Sequence, residues 1–212
     1  MLNLVHRARL PEGAAGGGVP AVVMVHGWQG DEKVMGIFER TVPPGVAILT
    51  PRAPLEVAAG SYGWFIFEKG EASFQEGVEA LAIFVRGLPG AYPIDPRRVL
   101  LMGFSQGAGM SYGLLTEAPD LVAGVAGLAG FLPDPLWPRL TPGRLAGKRV
   151  FMAHGTEDET VPVLMARSAR KALAGAGAEV DYHEYEDVGH KLNAQGVRDL
   201  THWLAAQVGG QA

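Results

Sequence analysis

Short apolar runs alternate along the chain with longer stretches in which apolar residues recur every three or four positions. The runs are continuous and rich in β-branched residues, which is typical of strands buried on both faces of a parallel sheet. The predicted strands are Ala21–Val25, Val46–Thr50, Val99–Gly103, Val122–Leu128, Arg149–Ala153 and Val180–Tyr185, and Met1–Arg9 is predicted to add an edge strand.

The longer stretches predict helices. One helical face is formed by Phe74, Val78, Leu81, Val85 and Leu88. Further helices are predicted over Gln106–Glu117, from Pro162 to about Gly175, and in a last stretch carrying Leu192, Leu200, Trp203, Leu204 and Val208. Repeated strand–helix units predict a mostly parallel, doubly wound α/β sheet with helices on both faces. We expect a single domain over residues 1–212, ending in a frayed tail over 209–212.

Composition narrows the classes of function. The net charge of −4 comes without a basic cluster, so we expect no nucleic-acid partner. No apolar run is long enough to cross a bilayer, and the first residues lack the apolar run of a signal peptide. We therefore expect a cytoplasmic protein without integral membrane association. Its oligomeric state is left open, with a homodimer among the alternatives.

The absence of cysteine excludes a disulfide framework, a thiolate metal site and a cysteine nucleophile. The histidines lie at separate strand ends, and none forms a ligand pair with another at helical i, i+4 spacing. The sequence therefore predicts neither a metal nor another cofactor.

A candidate nucleophile lies in Gly103–Gly107, which reads Gly-Phe-Ser-Gln-Gly. This is the G-x-S-x-G pattern, placed after a predicted strand and before a predicted helix as the motif requires. Small residues on either side let the chain turn sharply, so that the Ser105 hydroxyl projects above the sheet. The alternative is a glycine-rich turn whose serine caps the helix.

A serine hydroxyl needs a base to attack a carbonyl at neutral pH. His190 follows the last predicted strand in a loop, from which an imidazole could reach Ser105. The alternative is a surface histidine. His26 and His154 each end a strand, and a structural role suits both.

An acid is needed to orient the imidazole. Glu157, Asp158 and Glu159 all follow one predicted strand, and spacing does not choose among them. The chain order of serine, acid and histidine is that of α/β-hydrolases. Acyl transfer also needs two N–H donors for the oxyanion. We assign these to Gln106, which follows the serine, and to Trp28, in the loop after the first buried strand.

Several segments together resemble one family. They are VHGWQGDE at 25–32, PRAP at 51–54, GWF at 63–65, VLLMGFSQGAGM at 99–110, GFLP at 130–133, HGTEDETVP at 154–162 and GH at 189–190. The chain resembles the phospholipase/carboxylesterase family of α/β-hydrolases, which includes acyl-protein thioesterases. The resemblance implies that Ser105 is the nucleophile, Asp158 the acid and His190 the base. It also implies the same oxyanion donors, and an aromatic pair near the acyl site at Trp64 and Phe65.

The segment 130–148 carries Pro133, Pro135, Pro138 and Pro142, which disfavour a long helix. We therefore expect no cap domain over the site, but an open groove. Its predicted apolar walls are Trp64, Phe65, Phe131, Leu132 and Val161.

The expected function is a serine hydrolase that cleaves carboxylic esters of short to medium acyl chains through an acyl-enzyme on Ser105. Its partner would be a small ester or thioester. The alternatives are a lysophospholipase or an acyl-protein thioesterase. A non-catalytic binding protein with a hydrolase fold is a third hypothesis, but such proteins usually lack one member of the triad.

Overall fold

The computed structural model of the protein describes residues 2–14 and 17–209. In this part of the chain the strands are β1 His6–Arg9, β2 Val19–Val25, β3 Ala47–Pro51, β4 Leu55–Ala58, β5 Ser61–Gly63, β6 Ile94–Phe104, β7 Gly124–Leu128, β8 Arg149–Gly155 and β9 Glu179–Tyr185. Seven of them form one sheet in the order β1-β3-β2-β6-β7-β8-β9. Only β1 is antiparallel to its neighbour, so the sheet is mostly parallel as predicted.

The helices are α1 Gly70–Ala91, α2 Gln106–Glu117, α3 Val163–Gly175 and α4 Ala194–Gly209. Side chains alternate along each strand, which sends Val23 and Leu101 to a core shared with α1, α2 and α3. Their neighbours Met24 and Met102 join a second core, shared with α4. The sheet is therefore covered by helices on both faces, and the predicted α/β-hydrolase architecture is confirmed.

The predicted strands and helices are present, with ends that differ by a few residues. Two strands differ most. Strand β1 begins at His6, later than the predicted Met1–Arg9, of which Met1 lies outside the described residues. Strand β6 begins at Ile94 and passes through the exposed Pro96 before its buried part. The β4–β5 hairpin and a 3₁₀ helix over Val34–Thr41 were not predicted. Both are short and half-exposed, so neither shows a full apolar period. Of the predicted tail, Gly209 ends α4, and 210–212 lie outside the described residues.

The chain between β7 and β8 forms a loop with one 3₁₀ helix, Asp134–Arg139, and no larger element. The expectation that no cap domain covers the carboxyl ends of the strands is confirmed. No helix within residues 2–14 and 17–209 combines the length and the apolar character that crossing a bilayer requires.

Candidate active site

Ser105 lies at the turn between β6 and α2. Its backbone has φ 55° and ψ −119°, a conformation that side-chain-bearing residues rarely adopt and that costs about 1–3 kcal/mol. Its N–H donates to the carbonyl of Leu128 on the neighbouring strand at 2.9 Å, which fixes the turn to the sheet. The Ser105 side chain makes no capping hydrogen bond to α2. The hydroxyl is therefore free for another role, and the alternative of a simple helix cap does not describe it.

The two glycines of the motif are required by close backbone approach. A Cβ at Gly103 would lie 2.2 Å from the Gly107 carbonyl oxygen, and one at Gly107 would lie 2.0 Å from the Val25 carbonyl oxygen. Neither contact is sterically possible. The strand, the turn and the helix can pack against β2 in this way only because both positions lack a side chain.

His190 and Asp158 form a hydrogen-bonded pair. The His190 Nδ1 and Asp158 Oδ2 atoms are 2.7 Å apart. The other carboxylate oxygen, Oδ1, accepts from the backbone N–H groups of Thr160 at 3.0 Å and Val161 at 2.8 Å. The Asp158 side chain is fully buried, whereas that of His190 is about one-fifth exposed. The carboxylate is thus held by its own loop and orients the imidazole.

The loops that carry these two residues are bound to each other. After β8, the N–H of Thr156 donates to the Tyr185 carbonyl at 2.9 Å, and that of Glu157 donates to the Val188 carbonyl at 3.0 Å. These bonds continue the pairing of β8 with β9 beyond the ends of both strands. The other two acids that the sequence left open, Glu157 and Glu159, are exposed.

Two backbone N–H groups near Ser105 are available to a ligand. Those of Trp28 and Gln106 donate no hydrogen bond to any residue in the described part of the chain. The Gln106 side chain is fixed, because its Oε1 accepts from Trp64 N at 2.9 Å and its Nε2 donates to the Phe65 carbonyl at 2.9 Å. On the other side, a turn closed by a 3.1 Å hydrogen bond from Gly30 N–H to the Gly27 carbonyl presents the Trp28 N–H.

The two strand-end histidines make backbone contacts. His26 Nε2 accepts from Ala53 N–H at 3.0 Å, so its Nδ1 donates to the Gly27 carbonyl at 2.7 Å. His154 Nε2 donates to the Val161 carbonyl at 2.7 Å. Burial lowers the pKa of both imidazoles, which keeps them neutral. They hold the loops beside the candidate site.

An ion pair fastens the loop that carries Trp28. Arg52 donates to both carboxylate oxygens of Glu32, from Nε at 2.7 Å and from Nη2 at 3.0 Å. The same guanidinium lies over the Tyr62 ring, 4.6 Å from its centroid. The loop after β2 is thereby tied to the loop after β3 and to the β4–β5 hairpin. The Arg52 hydrogen bonds lower the pKa of Glu32 to about 2 from its ordinary value of 4.5.

We expect Glu32→Gln to lower the free energy of unfolding at pH 7 by about 1–3 kcal/mol, because two charge-assisted hydrogen bonds are weakened. Since the carboxyl group is more acidic in the folded state, its contribution is complete above about pH 4.5 and is lost as the pH falls toward about 2. In denaturant unfolding between pH 7 and pH 3, the stability difference between wild type and variant should therefore shrink steadily toward the acidic end. Glu186→Gln, at an exposed carboxylate, is the control. A wild-type–variant difference that does not shrink with acidification would contradict this account.

Two cavities adjoin at Ser105, and a third adjoins one of them. The first, which we call the His190 cavity, has a volume of 640 Å³ and is lined by Ser105, Trp28, His190, Leu192 and residues of the 3₁₀ helix Val34–Thr41. The second, the Gln106 cavity, measures 430 Å³ and lies against Ser105, Trp28 and Gln106. Trp28, Ser105 and Thr160 line both, so the two cavities adjoin at the serine.

The third, the proline cavity, measures 590 Å³ and is lined by Pro133, Pro135 and Pro138. It shares Phe67, Phe131 and Met165 with the Gln106 cavity, so the two form one apolar path away from Ser105.

Four of the five predicted groove residues line this path. Val161 lines the Gln106 cavity, Phe65 and Leu132 line the proline cavity, and Phe131 lines both. Trp64 does not, which corrects the expectation. Its side chain is 0% exposed, and its indole N–H donates to the His26 carbonyl at 2.9 Å. An indole surrounded by core needs a polar partner for its N–H, and here that partner is the backbone of the Trp28 loop.

Comparison with known proteins agrees with this geometry. A family model described as Phospholipase/Carboxylesterase matches residues 20–208. The chain belongs to the Phospholipase/Carboxylesterase family. The match includes every residue of the candidate site, and it confirms the resemblance inferred from the sequence.

Relatives within the Phospholipase/Carboxylesterase family are distant. Acyl-protein thioesterase 1 of Emericella nidulans is 27% identical over 218 residues, which cover 92% of this chain and 87% of that protein. Lysophospholipase-like protein 1 of Mus musculus is 28% identical over 120 residues, but the match spans only 50% of its length. The crystal structure of the Bacillus cereus carboxylesterase superposes with a TM-score of 0.79 at 21% identity, covering 97% of this chain and 95% of that one. That superposition supports the fold.

One apolar wall of the His190 cavity was not predicted from the sequence of this Phospholipase/Carboxylesterase family member. It is built by Val34, Met35, Ile37 and Phe38 of the unpredicted 3₁₀ helix, together with Val197 of α4. The sequence feature from which this wall could have been predicted is the apolar run Val-Met-Gly-Ile-Phe between the charged residues Lys33 and Glu39. Ile37 is 71% exposed, so this wall is also part of the molecular surface.

Proposed function

We propose that the chain is a serine carboxylesterase that hydrolyses carboxylic esters of short to medium acyl chains, with Ser105, His190 and Asp158 as its triad. The observation that carries the proposal is the 2.7 Å pairing of His190 Nδ1 with the buried Asp158, beside a serine in a strained turn on the same cavity wall. Residues 1–212 are proposed to act as one domain, because both cores share one sheet.

In the first half-reaction, Ser105 Oγ attacks the ester carbonyl carbon. His190 Nε2 takes the hydroxyl proton, while Asp158 accepts the Nδ1–H hydrogen bond and stabilises the imidazolium. The carbonyl oxygen becomes an oxyanion and accepts hydrogen bonds from the free N–H groups of Trp28 and Gln106. Losing one donor of this kind costs about 2.7–4 kcal/mol in comparable enzymes.

The collapse of the tetrahedral intermediate breaks the bond to the leaving group. His190 Nε2 donates its proton to the departing oxygen, which leaves as an alcohol. Water then enters and gives a proton to His190, and the resulting hydroxide attacks the acyl carbonyl. Ser105 Oγ departs and regains its proton, so the products are a carboxylic acid and the free enzyme.

The position of His190 supports an assignment of the two sides of the ester to different cavities. His190 lines the His190 cavity and is absent from the walls of the other two, so the leaving group that it protonates lies there. The acyl group then points the opposite way, into the Gln106 cavity and on toward the proline cavity. Phe67, Phe131 and Met165 give that path its apolar lining.

An acyl-protein thioesterase or a lysophospholipase remains the second candidate. The names of the distant relatives and the continuous apolar path favour it, because a longer acyl chain could extend from one cavity to the next. The same triad serves an oxoester or a thioester, and the two activities differ in leaving group and chain length. Matched oxoesters and thioesters of one acyl group distinguish them.

We expect kcat/KM for 4-nitrophenyl esters to rise from acetate through medium chains and then to level or fall. Each methylene buried in the Gln106 and proline cavities contributes up to about 0.8 kcal/mol, and methylenes beyond them contribute nothing. Initial rates across even chain lengths, measured below the micelle concentration and then through it, test this. Phe131→Ala, at the junction of the two cavities, should reduce the rate for medium chains more than for acetate. A steep rate increase at the onset of micelles would contradict an uncapped site.

A further inference from the structure

The His190 cavity carries positive charge at its edge. Arg40, at the end of the 3₁₀ helix Val34–Thr41, and Lys191, next to His190, both line it, and no acidic residue does. Neither cation forms an ion pair or a side-chain hydrogen bond with another residue in the described part of the chain. The neighbouring Glu39 pairs with Arg9 at 3.6 Å and does not line this cavity.

The acyl side has the opposite charge. Glu68 lines the Gln106 cavity, Glu71 and Asp134 line the proline cavity, and no cation lines either. Glu71 is paired with Arg139, so Glu68 and Asp134 carry most of this negative charge. Within the described part of the chain, two cations without an ion-pair partner therefore line the His190 cavity and none lines the acyl-side cavities, in a protein whose net charge is −4.

We propose that Arg40 and Lys191 are specificity-determining residues that select esters whose leaving group is an apolar chain ending in a carboxylate. The apolar spacer would lie along Val34, Ile37 and Leu192, and the anion would reach the two cations at the edge. This inference rests on the proposed function. The chemistry is unchanged: water is consumed, the ester C–O bond breaks, and His190 protonates the leaving oxygen. The cations exchange no proton.

Three esters of similar size test the proposal. The butyryl ester of 6-hydroxyhexanoate carries the anion on the leaving group, and that of 6-hydroxyhexanamide is its neutral match. The monohexyl ester of succinate carries the anion on the acyl side. We expect kcat/KM to be highest for the first ester and lowest for the third. The five-methylene spacer of the first ester keeps its carboxylate from altering the reactivity of the ester bond, so the difference between the first ester and its amide match reports binding.

Arg40→Gln and Lys191→Gln should each lower kcat/KM for the 6-hydroxyhexanoate ester by about three- to fivefold, as expected for exposed charge pairs. The amide ester should be nearly unaffected, and the preference of the wild type should weaken as salt is added. The matched controls are Arg7→Gln and Lys171→Gln, which remove the same charges at exposed positions that line no cavity described above.

Three outcomes would overturn the inference. The first is that kcat/KM for the 6-hydroxyhexanoate ester does not exceed that for its amide match. The second is that the control variants lower the ratio of these two kcat/KM values as much as Arg40→Gln and Lys191→Gln do. In either case the cations do not select the leaving group, and the proposed esterase function stands. If none of the three esters is turned over, the proposed function fails and the inference fails with it.

Discussion

Ser105→Ala should lower kcat for a short-chain ester by about 10³-fold or more and leave the fold intact. In the proposed mechanism the variant lacks the oxygen that forms the covalent bond with the substrate, so water must attack the ester directly. The free Trp28 and Gln106 N–H groups would remain, so a small residual rate above the uncatalysed reaction is expected. Alanine is smaller than serine and fits the same turn, and the hydroxyl makes no hydrogen bond to α2 that its loss would break.

The measurement is kcat for 4-nitrophenyl butyrate, with circular dichroism and thermal unfolding to verify the fold. Ser168→Ala, at an exposed serine of α3, is the matched control and should retain the wild-type rate. Turnover near the wild-type value in Ser105→Ala would show that another group is the nucleophile.

Asp158→Asn should lower kcat by about 10³- to 10⁴-fold. The variant keeps the contact with His190 but changes which imidazole nitrogen carries the proton. The asparagine carbonyl oxygen would keep accepting from Thr160 and Val161 N–H, which turns the amide NH₂ toward His190 Nδ1. Because the NH₂ group donates, Nδ1 must then be the acceptor and the proton moves to Nε2. An imidazole protonated at Nε2 cannot take the proton of Ser105.

The control is Glu157→Gln, which makes the same change at the exposed neighbouring carboxylate and should leave kcat within about twofold of the wild type. The variant of Asp158 is nearly isosteric and should unfold within a few degrees of the wild type. If both variants have similar rates, Asp158 does not orient the base, and the pairing with His190 has no catalytic meaning.

The sequence predicted those parts of the molecule that repeat a regular period or follow a strict local pattern. Strand β2 is almost wholly buried, so its apolar run identified it directly. The turn at Ser105 was predictable because steric exclusion demands glycine at 103 and 107. For the acid, spacing alone could not separate Asp158 from its neighbours. The resemblance selected it, and the structure gives a physical basis: its carboxylate is buried and accepts two N–H groups of its own loop.

What the sequence did not predict depends on contacts between distant residues. The family resemblance implies that Trp64 lies in the groove beside Phe65, but successive side chains can point in different directions. Its partner, the His26 carbonyl, lies 38 residues earlier in the chain. The wall over Val34–Thr41 was missed because a 3₁₀ helix of eight residues is too short to show a reliable apolar period.

The most direct test of the account is covalent labelling with an alkyl fluorophosphonate, which reacts with an activated serine in the manner of the first half-reaction. Peptide mass spectrometry should locate one phosphonyl group on Ser105, with loss of esterase activity in step with labelling. His190→Ala should label far more slowly, and Ser105→Ala should not label. Full inactivation with the phosphonyl group on another residue, or protein that stays unlabelled and active after prolonged treatment with excess reagent, would contradict the assignment of Ser105 as the nucleophile.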